Sequence, residues 1–410
     1  MKKIIFAYIL MMLPAVLMTS CLKDQEDKFS ESASQRSANY LAYVKEVLMS
    51  SENGWVLNYF PDRNQSYGGY AYTVKFDSQK VTVGSELAGD GAETITSTYA
   101  LDNEDGPVLT FDTYNAFMHY FATPTGSSGA GGYEAYDGDF IFIIMGVSED
   151  KNTITLKGSR TGNTMYMYRN DRNTKDYIND CLSVIDEVRY EVFKKDEITM
   201  NVDLEERYAS FSCNGETKEC SLAVTDKGIK LYEPISINGM ELLTFTYDKE
   251  AETFTSDENA SIVLKGTLPD GWKSYEELLG KYDVNGTTVE VVANSDGKSY
   301  TIKNFSYTGL SIQAYYKYAI GSFVIPVQYI GLLMGKYYSW LIAYNGETIT
   351  WDTNVKFRGT NSATDPLVIT FSNKSYTTFW EGAFETEEPS MEAYAGYLTQ
   401  YPEPFVMKKK

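Results

Sequence analysis

Asn53-Gly54-Trp55-Val56-Leu57-Asn58-Tyr59-Phe60 is where the periodicity of this chain changes, and that change decides its fold. Upstream, Tyr40, Leu41, Val44, Val47 and Leu48 recur at helical spacing, which predicts a helix over 31–52. Asn53-Gly54 stops it. From Trp55 the period becomes two, the spacing at which alternate side chains fall on one face of a strand. Runs at 55–60, 70–76, 80–83, 96–101, 108–111, 140–145, 153–156 and 165–168 read as short strands. Gly68-Gly69, Asp105-Gly106 and Asp137-Gly138 separate them as turns. Many short strands at regular spacing predict an antiparallel meander, sandwich or barrel.

The same reading extends downstream. Ile178, Cys181, Leu182, Ile185 and Val188 form the stripe of a helix at about 174–192, with Thr174 as its candidate cap. Strands resume through 197–266, and a third β stretch covers 281–384. Ser274-Tyr275-Glu276-Glu277, which precedes it, fits a capping box. The expected architecture is mainly β: antiparallel meander, sandwich- or barrel-like units with two or three short connecting helices. The units are 31–170 (helix plus β), 171–275 (helix plus β) and 276–410 (β), and 410 residues suffice for two or three domains. Leu109-Thr110-Phe111 returns as Leu243-Thr244-Phe245 and Ile369-Thr370-Phe371, a faint mark of duplication. Phe323, Ile325, Val327 and Tyr329 alternate in the most apolar internal run, which reads as a buried strand and is too short for a membrane span.

Cysteine placement gives the address. Lys2 and Lys3 precede an apolar core at 4–18, broken by Pro14, and small Thr19-Ser20 lead to Cys21. This is the layout of a lipoprotein signal over 1–20, cleaved so that a lipidated Cys21 becomes the N-terminus and anchors the chain to a membrane. Residues 21–30 are charged and read as a solvated tether. Cys213 and Cys220 flank Asn214-Gly215-Glu216-Thr217-Lys218-Glu219 on the apolar side of a hairpin. Export permits a disulfide between them. A wide turn would set the two opposite each other, whereas a tight Asn-Gly turn would pair Cys213 with Glu216. Cys181 reads as a buried thiol.

Loss of the signal takes the formal charge from −20 to −22, a field that repels phosphate backbones and argues against nucleic acid as a partner. The chain holds one histidine, His119, and no His-Glu-x-x-His or Gly-x-Ser-x-Gly pattern. We therefore expect no enzyme activity and no cofactor; a hydrolase working through two carboxylates remains the enzymatic alternative. Acidic turns such as Asp257-Glu258-Asn259 lack EF-hand spacing and read as solvated, so no metal site is expected. Tyrosine is the abundant residue, with 34 copies. Around the glycine-rich loop 126–132, His119, Tyr120, Tyr133 and Tyr136 form the candidate binding lip. Trp340, Trp351 and Trp380, with Tyr337 and Tyr338, make a second aromatic concentration read mostly as core.

Cys21, the stretch Glu26-Asp27-Lys28-Phe29 with Ser32 and Arg36, and the order helix, β unit, helix, β units together resemble an uncharacterised family of Bacteroidetes surface lipoproteins. The resemblance implies an accessory of Sus-like uptake systems, lipid-anchored on the outer membrane and facing the cell exterior. Its implied partners are a TonB-dependent transporter or other lipoproteins. The function expected is capture of an extracellular glycan or peptide for uptake. A structural or assembly subunit is the second reading, and a lipocalin-like carrier would require a hollow barrel.

Overall fold

The computed structural model describes residues 32–104, 106–123, 136–306 and 309–410. Cys21, the signal 1–20, the tether 21–30, Tyr133 and the loop 126–132 lie outside the described residues. The fold is mainly β, as the periodicity predicts, with all strand pairing within sheets antiparallel.

Helix α1, Ala33–Met49, starts at Ser32, whose hydroxyl accepts from the Gln35 N–H at 3.2 Å. Its stripe Val44, Val47 and Leu48 enters the first core, and the Trp55 indole N–H donates to the Leu48 carbonyl at 2.9 Å. The first sheet has nine strands, from Thr94–Thr98 at one edge to Ala100–Asn103 at the other. Only Tyr99 separates these two edges in the chain, so they meet there and the sheet curls into a barrel-like body. The predicted strand at 96–101 is thus two strands, one for each edge. Trp55, Leu57, Tyr59, Tyr72 and Phe142 fill the interior.

Helix α2, Thr174–Glu187, is capped by Asn173, whose side chain accepts from the Asp176 N–H at 2.9 Å. Thr174, the expected cap, is the first helical residue instead, because Asn173 is the residue held in the extended conformation a cap requires. The helix also stops short of 192: Val188 has turned extended and the chain enters the strand Val192–Lys195. That strand opens a closed barrel of eight strands in sequential order, ending with Val263–Thr267 paired back to it. Tyr177, Ile178, Cys181 and Val184 of α2 pack into the same cluster as this barrel's interior.

A second closed barrel of eight strands begins at Gly280–Val284 and ends at Phe405–Lys409. The capping box before it forms as predicted: Ser274 N–H donates to Glu277 at 2.8 Å, and Glu277 N–H to the Ser274 hydroxyl at 3.4 Å. It opens only a short 3-10 turn, Glu276–Leu278. Between its strands this barrel extrudes a separate five-stranded sheet built on Gln328–Leu333, Tyr337–Tyr344, Thr378–Phe384 and Tyr394–Gln400. Phe323, Ile325 and Val327 are buried as expected, but Tyr329 is 44% exposed, because the chain has by then left the barrel for this outer sheet.

Both closed barrels are packed with rings. Phe193 meets Phe254 at 4.8 Å and Phe211 stacks on Phe245 at 5.4 Å in one. Tyr300 meets Phe323 at 4.9 Å and Phe371 meets Phe405 at 5.2 Å in the other. These rings occupy the space that a lipocalin-like carrier would keep hollow. Cys213 faces Glu216 and Cys220 faces Ala209, the register of the tight Asn-Gly turn. The disulfide does not form: both thiols are free, and the Cys213 sulfur instead lies 3.7 Å from the Asn238 side-chain amide.

Candidate ligand-binding surfaces

The lip expected around His119 assembles in part. Tyr120 and Tyr136 bring their rings parallel, 5° apart in plane and 6.3 Å between centroids. Phe121 lies edge-on to both, and Tyr67 adds an edge contact to Tyr136 at 4.9 Å. His119 is turned elsewhere: its ring stacks on Phe140 at 4.6 Å and its Nδ1 sits 3.1 Å from the Asn115 carbonyl. Burial holds its pKa below the ordinary histidine value, against the opposing pull of that carbonyl, so the imidazole is neutral near pH 7. His119 therefore braces the turn that carries Tyr120. The sequence missed Tyr67, because it reaches the lip from a loop of the opposite half of the first sheet.

The second aromatic concentration is more extensive than its sequence reading. One face of the five-stranded sheet packs on the neighbouring barrel through Leu341, Ala343 and Phe379. On the other face, cross-strand register lines up Tyr329, Trp340, Gly382 and Tyr397, one from each of four strands. Three strand spacings of about 4.8 Å carry this row across roughly 14 Å. Tyr397 is 57% exposed and Trp340 is half-buried. The space over Gly382 is filled by neighbours: a Cβ there would sit 2.8 Å from Ile342 Cδ1 and 3.4 Å from the Phe384 and Tyr394 rings. Beside the row, Trp380 stacks on Tyr344 at 3.9 Å and touches Tyr397 at 5.3 Å. Tyr338, Trp340, Trp351 and Trp380 of the predicted group pack against the buried cluster of Ile342, Phe384 and Ala393 on this face, so the group is mostly core as expected, with Trp351 edge-on to Phe384 at 5.5 Å. Tyr329, Gly382 and Tyr397 were invisible in the sequence, since they converge only through pairing between distant strands.

A cleft of about 460 Å³ lies between the two closed barrels. Asp203, Glu205 and Glu206 of one wall converge there, the arrangement a carboxylate hydrolase would need. Each is held by a cation of the other wall: Asp203 by Arg358, Glu205 by Lys317 at 3.1 Å and Glu206 by Lys374 at 3.3 Å. These carboxylates act as cross-links between barrels.

The family described as a domain of unknown function, DUF4302, matches residues 25–249. A second family, DUF4987, also described as a domain of unknown function, matches residues 255–379. No curated protein and no solved structure matches the chain. The first match takes in the whole nine-stranded sheet and the first six strands of the following barrel.

Proposed function

The chain belongs to the DUF4302 family, and because that membership carries no activity, we propose from its own residues that it is a non-enzymatic lipoprotein that binds an extracellular glycan. In this reading Cys21 carries the lipid, the outer membrane holds the anchor, and the folded part faces the cell exterior, beside a TonB-dependent transporter or partner lipoprotein that receives the ligand. The carrying observation is the row Tyr329, Trp340, Gly382 and Tyr397 on the outer face of the five-stranded sheet. A pyranose presents a face of C–H groups whose positive polarisation suits the negative face of an aromatic ring. Rings fixed on paired strands offer several such contacts in line, at little cost in side-chain freedom. The pinned imidazole of His119 and the ion-paired acids of the large cleft support binding over turnover.

An assembly role is the second reading, favoured by one observation. Leu332 is 48% exposed and Met334, at the adjoining turn, is 96% exposed, an apolar corner suited to contact with another protein. A glycan and peptide array probed with the folded protein separates the two. A saturable glycan signal lost in Trp340→Ala and Tyr397→Ala supports the glycan reading. A blank array, with crosslinking to a membrane partner through the Met334 corner, replaces it with the assembly reading.

A further inference from the structure

The cleft of about 460 Å³ between the two closed barrels has a wall built by strand register. On the second barrel, Tyr315 pairs with Val324, Val324 with Arg358, and Arg358 with Ser372. Paired residues share a face, and Phe323, Phe357 and Phe371 fill the bore, so this row points outward into the cleft. Lys356 stands two residues before Arg358 on the same strand and points the same way. The charges are sorted by wall: Lys317, Lys356, Arg358 and Lys374 come from the second barrel, and Asp203, Glu205 and Glu206 from the first.

Three of the four cations are closely held. Arg358 pairs with Asp203 and Glu191, Lys317 lies 2.9 Å from Glu191 and 3.1 Å from Glu205, and Lys374 lies 3.3 Å from Glu206. Lys356 is the remainder. Among the described residues its one ion pair is with Glu205 at 4.0 Å, on the oxygen that Lys317 leaves over, and its ammonium makes no hydrogen bond. A contact that long between side chains 41% and 54% exposed holds the ammonium weakly. The same ammonium sits 5.9 Å from the centre of the Tyr315 ring. The Tyr315 hydroxyl also makes no hydrogen bond among the described residues. Burial, with Glu205 adding, pushes its pKa up to about 12, so at neutral pH it keeps its proton and can donate. The side chains of Asn354 and Ser372 are exposed in the cleft and equally unengaged. The acids that line the cleft are each neutralised by a cation, and the groups left over can all donate hydrogen bonds.

We propose that this cleft binds a short acidic saccharide, one or two uronic acid residues, with a carboxylate on Lys356 and a ring face against Tyr315. The carboxylate of a uronic acid is attached directly to its ring, so holding it on Lys356 brings the sugar beside the aromatic ring that the ammonium already adjoins. The Tyr315 hydroxyl, Ser372 and Asn354 then serve the sugar's own hydroxyls. The carboxylate displaces no short ion pair, because Glu205 keeps Lys317 and Glu206 keeps Lys374. Those two lysines also cancel the glutamates that would otherwise repel an anion. The volume falls within the roughly 300–1,000 Å³ of small-molecule sites. The inference does not rest on the outer-sheet reading, since the cleft shares no residue with the row through Trp340.

The test is calorimetric titration of the full-length protein with galacturonate and digalacturonate, against acetate at the same ionic strength. We expect at least one uronate to bind saturably, and acetate, which lacks the ring, to bind at least about tenfold more weakly. Lys356→Met keeps the aliphatic stem and removes the ammonium. It is expected to weaken uronate binding about tenfold or more at an unchanged melting temperature, because the one ion pair it removes is long. Tyr315→Phe keeps the ring, removes the hydroxyl and should weaken binding several-fold. Equal uronate affinity in Lys356→Met, or no binding of either uronate by protein that melts cooperatively, would overturn the inference. Uronate binding that survives Lys356→Met and is lost in Trp340→Ala would overturn it as well, while leaving the outer-sheet reading in place.

Discussion

Arg207 and Glu86 form an ion pair with Nη2 2.8 Å from Oε2, and both side chains are almost fully shielded from solvent. The pair joins the first closed barrel to the first sheet across 121 residues of sequence. It is also a network: Glu86 Oε1 accepts from the Ala71 N–H at 2.7 Å, and the Arg207 guanidinium lies 5.1 Å over the Tyr70 ring. Removing one partner strands a buried charge, so Arg207→Ala or Glu86→Ala is expected to cost about 3–5 kcal/mol. The double variant Arg207→Met/Glu86→Leu should cost far less than the sum. Urea unfolding of the four proteins measures this, and additive losses would contradict it.

Beside that pair the two bodies come into backbone contact. The Gly69 N–H donates to the Leu222 carbonyl at 2.9 Å, and a Cβ at Gly69 would sit 2.5 Å from the Phe60 ring and 2.8 Å from Ala223 Cβ. Gly69→Ala is therefore expected to destabilise by about 1–3 kcal/mol through overpacking. Ala223→Gly in the same chain should recover part of that loss. Thermal melts of the single and double variants decide it.

Gly68-Gly69 shows what the sequence withholds. The dipeptide reads as a turn, and a turn precedes the strand Tyr70–Phe76. Its second role, admitting another barrel's backbone, leaves no local mark. Period two in 55–60 and 70–76 was legible because large core side chains, Trp55, Leu57 and Tyr59, then Tyr72, Val74 and Phe76, recur at every second position. The same alternation hid the seam: Asn58, Tyr168 and Lys230 occupy the positions that normally face water, so they read as solvated surface until a second body covers them. The tyrosine lip was half legible, since Tyr120 and Tyr136 belong to one sequence neighbourhood. The row through Gly382 was not, because its register is set by strands up to about seventy residues apart.

The seam between the two closed barrels is ionic, and acid should open it. Burial pushes the Asp203 carboxyl up, but Arg358 and Lys317 across the seam outweigh that and hold it below its ordinary value of 3.8. A carboxyl with a depressed folded pKa contributes stability that is complete above its unfolded value and is lost as pH falls through the folded one. Asp203→Asn is expected to flatten the stability profile below about pH 4 while lowering the plateau above it. Denaturant unfolding from pH 2 to 7 on both proteins tests this, and parallel acid limbs would refute it.

Lys230 gives the opposite sign. Its folded pKa lies below the ordinary lysine value of 10.5, so between the two values the unfolded chain binds the proton more tightly. Stability therefore rises with pH across that window, and the full burden of the buried ammonium persists below it. Lys230→Met lifts that burden and is expected to stabilise the protein at neutral pH, on the order of 1 kcal/mol. The advantage should shrink as pH approaches 10.5 and the native lysine loses its charge. Unfolding curves of both proteins at stepped pH carry the readout. A constant gap across the whole range would mean that the ammonium is already compensated in the folded protein.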